Sequence, residues 1–333
     1  KEIEAVDLWN KIVDSATKTA EPGILMWDNI TKYLPADAYA EQGFKTIATN
    51  PCAEIPLSAY DSCRLISINL KHFVKNEFTK NAYFDFESFK KVVKVGMRLS
   101  DDLVELEIEK LEKIIDIADT DDEKKLWGNL LSACKRGRRT GLGTHGLADA
   151  LARLGLAYDS KQALSTIDNI YGNLKDTSYR ESVNLACERG AFDIFDWEVE
   201  KENLFIKSLA PALQELIAVH GRRNISILTN APTGSVSIMS QTSSGLEPVF
   251  RNSYIRRRKL SHNEDNVKPD FIDDMGDKWL EYKVYHHNVQ EWVNSHGEDL
   301  PDFFVTSDNI DWKNRVKIQS VIQKHIDHAI SST

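Results

Sequence analysis

The sequence predicts an α/β protein, with helices packed on a sheet of short strands. Three observations carry this expectation. Segments of helical period alternate with strand-like runs along the 333 residues, the intervening loops are rich in Gly, Pro and Ser, and no low-complexity linker or internal repeat breaks the pattern. A composition of 41% hydrophobic and 28% charged residues is that of an ordinary globular chain, long enough for one large core or two medium ones.

Taken in order, Ile3, Val6, Leu8, Trp9, Ile12 and Val13 recur near helical spacing and predict a helix over 3–19, ending before Glu21-Pro22-Gly23. A short helical stretch follows in ILMWDNITKYL, and Gly43 to Thr49 reads as a strand. Pro51 and Pro56 make the next segment a poor helix and a poor central strand, so it is expected to be largely loop. Leu65 to Leu70 resumes a strand. Long helices are expected over 84–115 and 121–135, the second ending in the basic run Lys135–Arg139. TGLGTHGLADALARLGL reads as a glycine-spaced turn opening into a helix, and 160–189 is helical again. NISILTN (224–230) is a short buried strand. The last ~70 residues are mixed in character, with a closing helix near 312–330. These strands are too few to close a barrel by themselves.

A formal charge of −9 argues against a surface built for nucleic-acid polymers or membranes, though it leaves room for a local cationic pocket. No apolar stretch is long enough to span a bilayer, and the amphipathic, charged N-terminus has no signal-peptide core. Without an initiator Met the chain reads as an excerpt of something longer. Cys52, Cys63, Cys134 and Cys187 are too scattered for a secreted disulfide scaffold and form no C-x-x-C pair, which points to a reducing cytoplasm and to cysteines that matter through reactivity.

Four segments carry candidate chemistry. In extended backbone, Asn50, Cys52 and Glu54 of Asn50-Pro51-Cys52-Ala53-Glu54 would share one face, converging an amide, a thiol and a carboxylate on a small polar substrate. The alternative is a turn whose cysteine is simply a small apolar residue. Cys63 lies eleven residues further on, either lining the same pocket or belonging to the core. After the strand at 224–230, Pro232, Thr233, Gly234, Ser235 and Val236 form a small, hydroxyl-bearing entry to a helix. It is either a phosphate cradle or an ordinary cap, and it lacks the Lys-Ser/Thr ending of a P-loop. Gly141-Leu142-Gly143-Thr144-His145-Gly146 follows a basic helix end rather than a clear strand, so it is read as tight turn packing and not as a dinucleotide fingerprint. The runs Lys135–Arg139 and Arg256–Lys259 are expected to be solvated faces, and His286-His287 and His325/His328 lack the partners of a metal site.

Together, TNPCAEIPLSAYDSCRLISINL (49–70), RRTGLGTHGLADALARLGLAYDS (138–160) and APTGSVSIMSQTSSGLEPVF (231–250), continued by YIRRRKL and HIDHAISST, resemble the large catalytic subunit of ribonucleotide reductases. The short interval between Cys52 and Cys63 and the TSSGLEPVF wording are most similar to the adenosylcobalamin-dependent class II enzymes. The resemblance implies a ten-stranded α/β barrel of two parallel halves, residues 1–333 being the C-terminal half with the catalytic finger loop. It implies reduction of ribonucleotides, as diphosphates, to 2′-deoxyribonucleotides by a thiyl-radical mechanism. Cys52 would carry the radical, Glu54 take the 3′-hydroxyl proton, Asn50 hold the sugar, Cys63 serve in the reducing dithiol, and Pro232–Val236 bind the phosphates. The implied cofactor is adenosylcobalamin, with a thioredoxin-type dithiol as external reductant. The implied partners are the upstream half of the barrel, from the same gene or a split one, and a second copy in a homodimer. The thiol that pairs with Cys63 is expected upstream of Lys1, and so is most of the effector site. The thioredoxin-facing cysteine pair is expected beyond Thr333. The alternatives are a class I subunit fed by a radical-generating partner, or a non-catalytic half-barrel that needs a partner chain.

Overall fold

A computed structural model describes residues 2–261, 264 and 266–332; Lys1 and Thr333, the ends of the expected domain, lie outside them. The chain opens with α1 (Ala5–Thr19) and α2 (Trp27–Tyr33), then a hairpin of β1 (Thr46–Thr49) and β2 (Pro56–Ser58). Next come β3 (Leu65–Asn69), the small ladder of β4 (Val74–Lys75) and β5 (Tyr83–Phe84), and the long α3 (Phe86–Ile117) and α4 (Asp121–Gly137). β6 (Gly141–His145) leads into α5 (Leu147–Arg153), α6 (Lys161–Arg189), α7 (Trp197–Glu200), α8 (Leu204–Lys207) and α9 (Pro211–His220). Beyond α10 (Gly234–Ser240) lies an antiparallel sheet of β7 (Ser253–Lys259), β8 (Phe271–Ile272) and β9 (Lys278–Tyr285), followed by α11 (His287–His296) and α12 (Trp312–Gln323). No helix among the described residues is long and apolar enough to cross a membrane.

A row of parallel segments positions everything else. β3 pairs with β6 from Leu65↔Gly141 to Asn69↔His145. β6 bonds in turn to the segment 226–230, through Leu142 N–H to the Ile227 carbonyl (2.9 Å) and Thr229 N–H to the Leu142 carbonyl (3.1 Å). Asn230 then bridges in parallel to Ile330. The four segments thus lie side by side in chain order, with helices in every connection, and they do not close on themselves among the described residues. One face is packed: Ile68, Leu142 and Leu228 meet Phe89, Val93 and Met97 of α3, Ile170 and Leu174 of α6, and Ile318 and Ile322 of α12 in one core cluster. Parallel strands joined by helical crossovers must be covered in this way.

Most expected elements are present, and three expectations are corrected. Gly141–His145 is a fully buried strand and not a turn; it is Gly146, at φ 72°, that turns the chain into α5. A Cβ on Gly143 would overlap the Thr229 carbonyl oxygen, so the glycines are what lets the neighbouring strand approach. The closing helix stops at Gln323 and not near 330. There the Asp327 carboxylate accepts from the backbone N–H of Ile227 (2.8 Å) and Leu228 (2.7 Å), drawing the chain out to join the sheet. Finally, Arg138 and Arg139 are not on a solvated face. Both are buried, Arg138 on Asp101 and Arg139 on Asp61, because each finds a carboxylate across the fold. The apolar stripe of α1, including Val6, Trp9 and Val13, is exposed.

Candidate active site

The hairpin turn between β1 and β2 carries Asn50, Pro51, Cys52, Ala53 and Glu54. It is not extended, so the alternation argument for these residues fails. The Asn50 carbonyl accepts from Ala53 N–H (3.0 Å), closing a β-turn with Pro51 at its favoured second position, and Ala53 sits in the left-handed region at φ 64°. The Asn50 side chain ties the turn further, its Oδ1 accepting from Ile55 N–H (3.0 Å). Cys52 is left exposed at the tip. Glu54 is buried. Its carbonyl accepts from Ala329 N–H (3.0 Å) and the Thr229 hydroxyl (2.7 Å), pinning the turn to the open face of the sheet. Its carboxylate Oε2 is buried and has no protein hydrogen-bond partner.

Glu54 lines a cavity of about 350 Å³ over the open face. Gly141 and Gly143 form a floor without side chains, Leu65, Ser67 and Thr229 stand around it, and Pro232, Thr233, Gly234 and Val236 form the far wall. The structure therefore brings together Glu54 and the expected phosphate segment, which are far apart in sequence. Ser235 of that segment is exposed and does not line the cavity. Larger grooves of about 830, 670 and 540 Å³ lie against α6, beside Arg153 and between α3 and α6, and contain none of these residues.

At the wall, Thr233 adopts φ 55°, and its hydroxyl accepts from Gly245 N–H (2.7 Å) instead of capping α10. α10 has only seven residues, and the first-turn N–H groups of Gly234, Ser235 and Val236 precede any intrahelical acceptor. A Cβ on Gly234 would meet no protein atom within 4 Å.

Cys63 lies just before β3 with its Sγ against Gly141, the same residue that floors the cavity; a Cβ there would come within 2.5 Å of the sulfur. Burial pushes its thiol up to about 12, against the opposing pull of the Arg139 and Arg64 guanidiniums, so it stays S–H at neutral pH. Cys134 is buried and accepts from Arg64 Nη2 (2.9 Å), and Cys187 is exposed on α6.

The sequence reading missed the charged array beside Cys63. Arg139 is fully buried. Its Nε donates to Asp61 (2.6 Å) and its Nη1 reaches the Pro56 carbonyl (3.2 Å) and His328 Nε2 (3.1 Å). Burial alone would raise the Asp327 carboxyl, but bonds from His328, Tyr179 and Ile227 N–H outweigh it and hold it below its ordinary value. The clue in the sequence was Arg138-Arg139 placed directly before a buried strand. His325 pairs with Asp168 and His286 with Asp149, each at 2.8 Å. Arg257, Arg258 and Lys259 lie on the exposed β7 with Glu281, Glu264 and Asp277 as partners.

The family model for the ribonucleotide reductase barrel domain matches residues 1–333. The chain belongs to this family. It is 30% identical, over its whole length, to a vitamin B12-dependent ribonucleoside-diphosphate reductase of Thermoplasma acidophilum, covering 39% of that protein. It is 28% identical over 99% of its length to the enzyme of the same description from Mycobacterium tuberculosis, covering 42% of it. The large subunit of the Danio rerio ribonucleoside-diphosphate reductase is 27% identical, with 41% covered. The chain thus spans about two fifths of the length of the curated relatives it matches.

Proposed function

We propose that the chain is the C-terminal half of a catalytic barrel that reduces ribonucleoside diphosphates to 2′-deoxyribonucleotides. The observation that carries this reading is the cavity shared by Glu54 with Pro232, Thr233, Gly234 and Val236, with Cys52 in the turn that leads directly into Glu54. In the proposed cycle a thiyl radical at Cys52 takes the 3′ hydrogen atom, forming S–H and breaking C–H. Glu54 takes the 3′-hydroxyl proton, for which a buried carboxylate oxygen without a protein partner is suited. Asn50 holds the turn and the sugar, and Pro232, Thr233, Gly234, Ser235 and Val236 receive the phosphates. Cys63 and a second thiol from the upstream half supply two electrons and two protons, the 2′ oxygen leaves as water and the thiols become a disulfide. Glu54 then returns its proton to the 3′ oxygen and Cys52 its hydrogen atom to the 3′ carbon, which restores the thiyl radical. A thiol held protonated by burial fits that delivery.

The names of two relatives favour adenosylcobalamin as the source of the radical, which it supplies when bound. The residue it would face is Cys52, and the exposure of that thiol at the turn tip fits the requirement. The reading also takes a thioredoxin-type dithiol to reopen the disulfide, a homodimeric assembly, and a reducing cytoplasm.

The test uses the chain with its upstream half supplied, 3′-tritiated substrate, and chromatography of products and free base. Cys52→Ser is expected to abolish both tritium exchange and turnover. Cys63→Ser should keep the exchange but give free base in place of deoxynucleotide. Deoxynucleotide formation by Cys63→Ser at the wild-type rate would overturn the assignment.

A further inference from the structure

The cavity has two walls on different elements. Ser67 stands on β3, whereas Gly234 and Val236 belong to the first turn of α10. α10 is weakly seated. Ser237 is its one buried residue, and Ile238 and Met239 are 79% and 86% exposed. It begins and ends at non-glycine residues in the left-handed region, Thr233 and Gln241. A helix so short, with so little apolar burial, needs tertiary tethers to keep one orientation.

His145 supplies such a tether from the last position of β6. Its ring is buried, with Nδ1 2.8 Å from the Ser67 hydroxyl and Nε2 3.1 Å from the Ser240 hydroxyl at the end of α10. Ser240 continues the chain of contacts to the Thr242 hydroxyl (2.9 Å). One rigid ring thus spans from the β3 wall to the helix that carries the other wall. We propose that His145 is a positioning residue that fixes α10, and with it the Pro232–Val236 segment, at a set distance from the cavity wall on β3. This deepens the proposed function and rests on it for the identity of the ligand, a nucleotide held by its phosphates.

The chemistry suits a bridge. Burial depresses the His145 pKa, with the Asp149 carboxylate opposing, and a neutral imidazole offers one donor and one acceptor. A serine hydroxyl takes either role, so both arms survive in either tautomer. Leu or Met would fill the same volume but hold neither hydroxyl.

Amide hydrogen exchange of the chain, with His145→Leu, His145→Gln, His145→Asn and Ser240→Ala, tests the proposal. Gln can place its amide where Nε2 lies and keep the Ser240 arm; Asn reaches only towards Ser67. Loss of one neutral hydrogen bond corresponds to about two- to tenfold faster local opening. Exchange in 234–240 should therefore accelerate by about that factor in His145→Leu, His145→Asn and Ser240→Ala, stay within about twofold of wild type in His145→Gln, and remain unchanged in α6. Unaltered exchange in 234–240 of Ser240→Ala, or equal behaviour of the Gln and Asn variants, would overturn the proposal even if His145→Leu failed to fold. With the upstream half supplied, the KM for ribonucleotide should rise by the same factor in His145→Asn while kcat stays within about twofold. A faster α10 with an unmoved KM would leave the tether standing and remove the nucleotide from this cavity.

Discussion

Gly143→Ala is the sharpest test of how this sheet is built. A Cβ on Gly143 would overlap the Thr229 carbonyl oxygen, a backbone atom that cannot swing aside. The strands must part, and three bonds hold them together there: Leu142 N–H to Ile227 (2.9 Å), Thr229 N–H to the Leu142 carbonyl (3.1 Å) and Thr144 N–H to Asn230 Oδ1 (3.1 Å). At about 1 kcal/mol net each, their loss costs roughly 3 kcal/mol. Gly143 is not in the left-handed region, so alanine regains about 0.5–1 kcal/mol through the unfolded chain, leaving about 2–2.5 kcal/mol. For a chain of 333 residues that lowers Tm by roughly 3–4 °C. Gly141→Ala should cost less, because its Cβ meets side-chain atoms, Cys63 Sγ at 2.5 Å and Leu65 Cδ2 at 2.8 Å, that can yield. Gly234→Ala meets nothing within 4 Å and should stay within about 0.5 kcal/mol of wild type. Thermal melts and urea titrations of the three variants give the order directly. A Gly143→Ala protein melting within about 1 °C of wild type would show that close strand approach is not what the glycine is for.

Two further outcomes follow from buried groups. Burial pushes the Cys63 thiol up to about 12 from the ordinary 9.0, so the folded chain holds this proton more tightly than the unfolded one. Its stabilising share is complete below pH 9 and fades as pH rises towards 12, so in urea titrations the stability advantage of wild type over Cys63→Ala should shrink by about 1 kcal/mol per unit above pH 9. Arg222 and Glu200 form a fully buried pair, with Nη2 2.6 Å from Oε2 and the Tyr39 hydroxyl also on that oxygen. Arg222→Met strands the carboxylate and should cost about 3–5 kcal/mol, while adding Glu200→Leu should recover part of it; a double variant no better than the single would refute this.

How far the sequence disclosed the molecule depends on where its signals reside. α3, α4 and α6 were legible because apolar side chains recur at helical spacing over many turns. β6 was not, because strand signals are carried by side chains and two of its five positions are glycine. The turn at Asn50–Ala53 could have been read from Pro51 alone, which favours the second position of a turn. The partners of Arg139 were beyond reach, since Asp61 and His328 are separated from it by 78 and 189 residues and only the fold makes them neighbours.

The alternation rule that fails at Asn50–Glu54 is obeyed on β6, and there it explains the cavity. Counting back from its last residue, His145, Gly143, Gly141 and Arg139 occupy every second position and so share the open face. The intervening Leu142 and Thr144 turn to the packed side, Leu142 into the core and the Thr144 hydroxyl onto Tyr171 (2.6 Å). The open face therefore has a tethered polar residue at each end and no side chain between. Arg139 is fixed by Asp61 and His328 at the Cys63 end, and His145 by Ser67 and Ser240 at the α10 end. A larger residue at 143 would both part the strands and fill the floor, so that glycine sets the sheet's closeness and, with Gly141, the cavity's depth. Stability and ligand space at this strand are one constraint, which is why Gly143→Ala should weaken the fold and close the site together.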